Sequence, residues 1–249
     1  MTLGRETTGS GIPATFVHGF TQTRSSWFPV VSRLRGIECT LVDAPGHGDS
    51  SDGRRSLWQC ADDIAATMPR GALVGYSMGA RMALHTALSH PGHVTALVLV
   101  SGTPGIEDDA ERDGRRMSDD SLADRIEEIG VPSFIDEWLS NPMFAGLTDE
   151  TSMRPQRLAN TARGLADSLR HAGTGTQDDL WPRLAELTMP VLIVAGADDK
   201  KFAGIARRMH DAIAGSVLDV VASAGHTVHL EATEAFTGVL GEWLLTNTR

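Results

Sequence analysis

The chain has 249 residues, 41% of them hydrophobic and 22% charged, which is enough for one or two domains with a full core and too apolar for disorder. Its net charge of −10 argues against a broad nucleic-acid or anionic-membrane surface, and no run approaches the roughly 18 apolar residues of a transmembrane helix. Met1 to Gly11 is polar and lacks the apolar centre of a signal peptide, so a cytoplasmic location is expected.

Short apolar runs recur along the chain. Ala14 to Val17, Cys39 to Val42, Ala72 to Val74, Val94 to Val100, Val191 to Ala195 and Val217 to Val221 each read as a buried strand, with helical stretches between most of them. Unbroken Val/Ile/Leu runs suit strands covered on both faces, as in a parallel sheet. Strands alternating with helices predict an α/β doubly wound fold with right-handed crossovers. Cys39 and Cys60 have no metal-ligand spacing and read as packing residues in a reducing compartment.

From about Pro104 to Thr188 the rhythm breaks. Ser121 to Ile129, Phe134 to Leu139 and Arg157 to His171 have helical spacing, and no convincing strand appears. The dense charges from Glu107 to Asp113 read as a solvated face. The expected organisation is a core formed by residues 1–103 and 188–249, with a helical lid, 104–187, inserted in it.

Gly75-Tyr76-Ser77-Met78-Gly79 fits G-x-S-x-G, between the apolar run Ala72 to Val74 and the helix formers Ala80 to Leu88. That is the strand–turn–helix setting of a nucleophile elbow, in which the glycines give a tight turn its room. A serine at a helix N-terminus gains from the dipole when its oxygen carries negative charge. Such a serine needs a base, and the base needs an orienting carboxylate, in the chain order Ser, acid, His. The acid falls in the pair Asp198-Asp199, after the run ending at Ala195, and sequence alone favours Asp199 without excluding Asp198. The base falls in Gly225-His226-Thr227-Val228-His229, where His226 directly follows the turn glycine. His226 and His229 lack further ligands at metal-binding spacing, so no metal is expected. The unused member of each pair is expected to be a local cap or a surface residue.

Val17-His18-Gly19-Phe20 follows the first confident strand, where a loop supplies the second oxyanion-hole amide. The backbone N–H groups of Phe20 and Met78 are the candidates. Asp43 to Gly48 reads as a structural turn. Lys200 and Lys201 are the only lysines, and the other 20 basic residues are arginines, so one arginine by itself carries little functional weight. Arg81 differs, because it lies one turn after Ser77 on the same face of a helix that should be covered. It fits either a substrate carboxylate or an internal ion pair with a core Asp or Glu.

Together these motifs resemble the α/β-hydrolase superfamily over nearly the whole chain. Within it the chain resembles the 2-succinyl-6-hydroxy-2,4-cyclohexadiene-1-carboxylate synthase family of menaquinone biosynthesis. The residues that carry this are His18-Gly19-Phe20-Thr21, Gly75 to Arg81, Trp138 through Pro142-Met143-Phe144, Leu165 to Leu169, Gly173 to Gly175, Gly196 to Phe202 and Gly225 to Glu231. Ala80 departs from the pattern, which more often has Gly there, and the short N-terminus leaves room only for brief first strands or none. The resemblance implies a lyase that eliminates pyruvate from an enolpyruvyl-succinyl-cyclohexene carboxylate, with Ser77 as base assisted by His226 and Asp199. It also implies that Arg81, Arg125 and Arg157 bind the carboxylates of an anionic small-molecule substrate, with Tyr76 and Trp138 lining the pocket. No cofactor is expected, since neither a dinucleotide nor a phosphate-binding loop occurs. The competing expectations are a serine hydrolase, an esterase or C–C bond hydrolase, acting on a small carboxylated substrate, and a non-catalytic protein of the same fold.

Overall fold

The structure, a computed structural model, describes residues 1–248. Its strands are β1 (Arg5–Gly9), β2 (Ile12–Val17), β3 (Ile37–Val42), β4 (Gly71–Tyr76), β5 (Val94–Val100), β6 (Val191–Gly196) and β7 (Val217–Val221). All six apolar runs are therefore strands. They join one sheet in the order β1-β3-β2-β4-β5-β6-β7, parallel throughout except that β1 pairs antiparallel with β3. β1 has no apolar signature because it is a polar edge strand, exposed at every residue.

The helices in chain order are α1 (Phe28–Val31), α2 (Leu57–Thr67), α3 (Met78–Ser89), α4 (Asp109–Leu139), α5 (Arg154–Arg157), α6 (Ala162–Ala172), α7 (Lys200–Ala212), α8 (Val228–Glu231) and α9 (Thr233–Asn247). Two cores sandwich the sheet. On one side Leu97 and Leu99 of β5 pack with Cys60 and Ile64 of α2, Met82 of α3 and Met209 of α7. On the other side Ala96, Val98 and Val100 pack with Trp27, with Val30 of α1 and with Phe236 and Leu240 of α9. Successive residues of β5 alternate between two apolar layers, which is why the run shows no polar alternation. Each such side chain contributes about 1.5–3 kcal/mol on burial. Cys39 and Cys60 are buried free thiols within these cores.

Between β5 and β6 the chain forms only helices and short 3₁₀ turns. Residues Ala123, Ile126, Phe134 and Ile135 of α4 and Leu165 and Leu169 of α6 make a third apolar cluster. The helix bounds differ from the expectation in two places. α4 begins at Asp109, ahead of the predicted Ser121; the acidic residues around its start are exposed, as expected, and negative charge there suits the helix dipole. The Asp108 carboxylate caps it by accepting the Glu111 N–H at 2.8 Å. The span to Leu139 is two helices that meet at Gly130, φ 74° and ψ 166°, so the break falls between the two predicted segments. Finally, α6 starts at Ala162 because the Thr161 hydroxyl caps the Gly164 N–H at 3.0 Å, and Arg157 ends a separate one-turn helix, α5. Among the described residues no helix is long and apolar enough to cross a membrane.

Candidate active site

β4 ends in the elbow. Ser77 has φ 52° and ψ −108°, strained for a residue with a side chain, and its N–H donates to the Val100 carbonyl at 2.8 Å. A Cβ on Gly75 would lie 2.3 Å from the Gly79 carbonyl oxygen, and one on Gly79 would lie 2.2 Å from that of Val17. Both glycines are thus required by close backbone approach. The Ala80 methyl faces Gly102, where an added Cβ would sit 2.7 Å away from it. The bare Gly102 accommodates this departure from the resembled pattern.

Ser77 Oγ lies 3.0 Å from His226 Nε2, and His226 Nδ1 lies 2.7 Å from Asp199 Oδ2. Asp199 is also the N-cap of α7, its other oxygen accepting the Phe202 N–H at 3.1 Å. One carboxylate therefore both caps a helix and holds the imidazole. Burial opposes its ionisation, but the hydrogen bonds from His226 and Phe202 outweigh that and hold the carboxyl below its ordinary value. Asp198 is exposed. The loop carrying His226 is braced by residues that no local pattern distinguished. Glu231 accepts the N–H groups of Gly225 (2.7 Å) and Thr227 (2.8 Å) on either side of the histidine, and the Ser101 hydroxyl donates to the His226 carbonyl at 2.8 Å.

His229 corrects the expectation of a cap or surface residue. It is fully buried, with ring centroids 4.4 Å from Tyr76 and 4.6 Å from Trp27, and neither ring nitrogen has a hydrogen-bond partner. Burial holds its pKa well below the usual histidine value. Among the described residues no group of three or more His, Cys, Asp or Glu side chains could hold a metal.

Phe20 and Met78 both line the cavity at Ser77, and their amides take no part in the hydrogen bonds of the surrounding turns. Two buried histidines hold the loop behind them. His18 Nδ1 donates to the Gly19 carbonyl at 2.8 Å, which leaves Nε2 to accept the Ala44 N–H at 3.0 Å. His47 likewise donates to the Pro45 carbonyl (3.1 Å) and accepts the Thr21 N–H (3.3 Å). Both must be neutral to accept, and burial lowers their pKa values to about 4 and about 3.

The cavity measures about 860 Å³, and Tyr76, Trp138, Arg81 and Arg157 line it with the catalytic candidates. Tyr76 is buried, its hydroxyl 3.1 Å from that of Thr227. Arg81 is 8% exposed and donates to the Ala172 carbonyl at 2.8 Å, while among the described residues no carboxylate lies within ion-pair distance. The nearby Asp119 is held by Arg115 and the Gly175 N–H instead. Arg157 is 1% exposed and donates to the Ser152 carbonyl (2.8 Å) and the Thr21 hydroxyl. Burial pulls both guanidinium pKa values down to about 10. The internal ion pair considered for Arg81 is thus not formed. Arg125 is a correction of another kind: it does not line this cavity, because Glu128 (3.0 Å) and Glu137 (2.6 Å) hold its side chain in an exposed ion-pair cluster.

A strained serine at the end of a central parallel strand, with an imidazole and a carboxylate in line behind it, is the arrangement of the α/β-hydrolase class. The chain belongs to that class: residues 16–239 match the alpha/beta hydrolase family. Within it, the chain is 31% identical to a 2-succinyl-6-hydroxy-2,4-cyclohexadiene-1-carboxylate synthase of Serratia proteamaculans (strain 568), over 92% of each chain. It is 36% identical to a Bacillus subtilis (strain 168) protein provisionally given the same name, over 92% of this chain and 88% of that one. The solved structure of MenH from S. aureus superposes with a TM-score of 0.88 at 29% identity, covering 99% of both chains.

Proposed function

We propose that this protein is a lyase that eliminates pyruvate from a cyclohexene carrying succinyl, carboxylate and enolpyruvyl groups, giving 2-succinyl-6-hydroxy-2,4-cyclohexadiene-1-carboxylate. The similarity to the synthases named above supports the substrate. The observation that carries the reading is the pair of buried arginines, Arg81 and Arg157, which line the cavity beside Ser77 with no carboxylate among the described residues paired to either. Burying a guanidinium is costly unless a partner compensates, and a carboxylated substrate supplies one through bidentate contacts. A neutral ester has no use for them.

The triad acts as a base. With its Nδ1 proton held by Asp199, His226 takes the Ser77 hydroxyl proton at Nε2, and the serine oxygen takes the ring proton next to the succinyl ketone. The charge that develops on the ketone oxygen is met by the amides of Phe20 and Met78. As the electron pair moves into the ring, the bond from ring carbon to enolpyruvyl oxygen breaks. The leaving enolpyruvate takes the proton from His226 and becomes pyruvate, and no acyl-enzyme forms. The helices between β5 and β6 serve as a lid that keeps water out and strengthens the ion pairs.

A serine hydrolase for a small carboxylated ester is the second reading, favoured by the same complete Ser-His-Asp geometry. Comparative turnover separates the two. Incubation with the enolpyruvyl substrate should release pyruvate much faster than p-nitrophenyl acetate is hydrolysed, and fast ester turnover without pyruvate would reverse the assignment.

A further inference from the structure

Thr21 follows the Phe20 amide in a tight turn closed by the Gln22 N–H donating to the Gly19 carbonyl at 3.1 Å. It occupies the third place of that turn with φ 67°, a conformation that normally calls for glycine and is an outlier for a β-branched residue. Thr21 is fully buried and every polar group it has is held. Its N–H donates to His47 Nε2 (3.3 Å), its hydroxyl accepts from Arg157, and its carbonyl accepts from Asn160 Nδ2 at 2.7 Å. A strained conformation persists only where its surroundings over-determine it.

Asn160 is the member of this set with the widest reach. Its Nδ2 also donates to the Arg157 carbonyl (3.0 Å), and its Oδ1 accepts the Gly48 N–H at 2.9 Å. It is 6% exposed. One side chain from the segment between α5 and α6 thus ties three pieces of backbone together: the turn that presents the Phe20 amide, the turn at Gly48, and the chain that carries Arg157. It does not line the cavity itself. We propose that Asn160 is a positioning residue: by clamping the Thr21 carbonyl it holds the strained turn, and so fixes the Phe20 amide relative to the Arg157 guanidinium. Its action is on the transition state, since the amide meets charge only as the ketone becomes an enolate, while Arg157 meets a carboxylate that is charged throughout. The inference rests on the proposed elimination for its kinetics but not for its structural consequence.

The test is a cycle of four proteins: wild type, Asn160→Ala, Thr21→Gly and the double variant. Asn160→Ala should lower kcat for pyruvate formation about 10- to 100-fold with KM within about threefold, as befits a lost transition-state contact. Thr21→Gly makes the turn conformation accessible without a clamp, so Asn160→Ala should cost at least fivefold less in that background. The loss being equal in both backgrounds, or appearing wholly in KM, would overturn the proposal. Asn160→Asp keeps the acceptor for the Gly48 N–H but sets a charge against two carbonyl oxygens, and should reproduce the kcat loss if the alanine variant folds poorly. A crystal structure of Asn160→Ala or Asn160→Asp reads the claim independently of the reaction. A turn relaxed away from φ 67° at Thr21 is expected, and an unchanged turn would sink the proposal even if the wild type forms no pyruvate.

Discussion

Replacing Arg81 by alanine separates a substrate-binding role from a structural one. In the free protein this guanidinium is buried and, among the described residues, has one hydrogen bond, to the Ala172 carbonyl, and no ion pair. Folding therefore loses about 1 kcal/mol of net hydrogen bonding on truncation and gains the relief of a desolvated charge. The melting temperature should change by only a few degrees, and an increase would be unsurprising for a site that trades stability for function. The substrate complex loses far more. Removing one partner of a buried charge pair costs about 2–5 kcal/mol, and at 1.36 kcal/mol per factor of ten this is roughly 30- to 5,000-fold in kcat/KM. Pyruvate release, followed continuously, reads that loss. Arg81→Lys should recover part of it, because a point charge cannot reproduce a planar fork. Hydrolysis of a small neutral ester should barely change, since Ser77, His226, Asp199 and both amides remain. A folded Arg81→Ala protein with full pyruvate-forming activity would refute the reasoning and leave Arg81 as a structural residue.

Three further outcomes are expected. Ser77→Ala, Asp199→Asn and His226→Ala should each lower activity by orders of magnitude, with Ser77→Ala/His226→Ala little worse than either single change; Asp198→Asn should be close to neutral, and a larger effect there than at Asp199 would reassign the acid. Stability should fall as pH drops below about 6.5, because burial lowers the pKa of His18, His47 and His85 to about 4, 3 and 4 and holds that of His229 well below the usual histidine value. In that window the unfolded chain binds protons that the folded one refuses, so stability is complete above 6.5 and each such histidine removes about 1.36 kcal/mol per pH unit until its folded pKa is reached; urea midpoints that stay level from pH 7 to pH 5 would contradict this. Gly102→Ala should be destabilising because its Cβ would meet that of Ala80 at 2.7 Å, and Ala80→Gly should restore the melting temperature, whereas equal melting temperatures with and without Ala80 would show that the contact is not the cause.

What the sequence made legible follows from where each signal lies along the chain. Five of the parallel strands, β2 to β6, announce themselves because their apolar runs are covered on both faces and need no alternation, while β7, a part-exposed edge strand, is legible only from its β-branched run. β1 does not, since an exposed edge strand such as Arg5–Gly9 has no apolar requirement. The strand–turn–helix setting of Ser77 and the order Ser, acid, His are local patterns and survive reading in one dimension. Between Asp198 and Asp199 the structure sets Asp199 against the His226 imidazole, and Asp199 is also the N-cap of α7, a signal present in the sequence as an aspartate directly before the helix. His229 was misplaced because its burial depends on Trp27, a partner far away in sequence, whereas Arg125 is held at the surface by Glu128 three residues on and Glu137 twelve residues on, a nearby pairing that helical spacing offers. Asn160 lies 139 residues from the Thr21 carbonyl it holds, and no spacing rule could connect them.

If Ser77, His226 and Asp199 together remove a proton and expel pyruvate, a single turnover shows it in its products. With enzyme in excess over the enolpyruvyl substrate, pyruvate and the cyclohexadiene should appear together in a one-to-one ratio, with no mass added to the protein, and Ser77→Ala should form neither. Pyruvate absent from the wild-type reaction, or formed at the same rate by Ser77→Ala, would mean that this triad does not carry out the elimination.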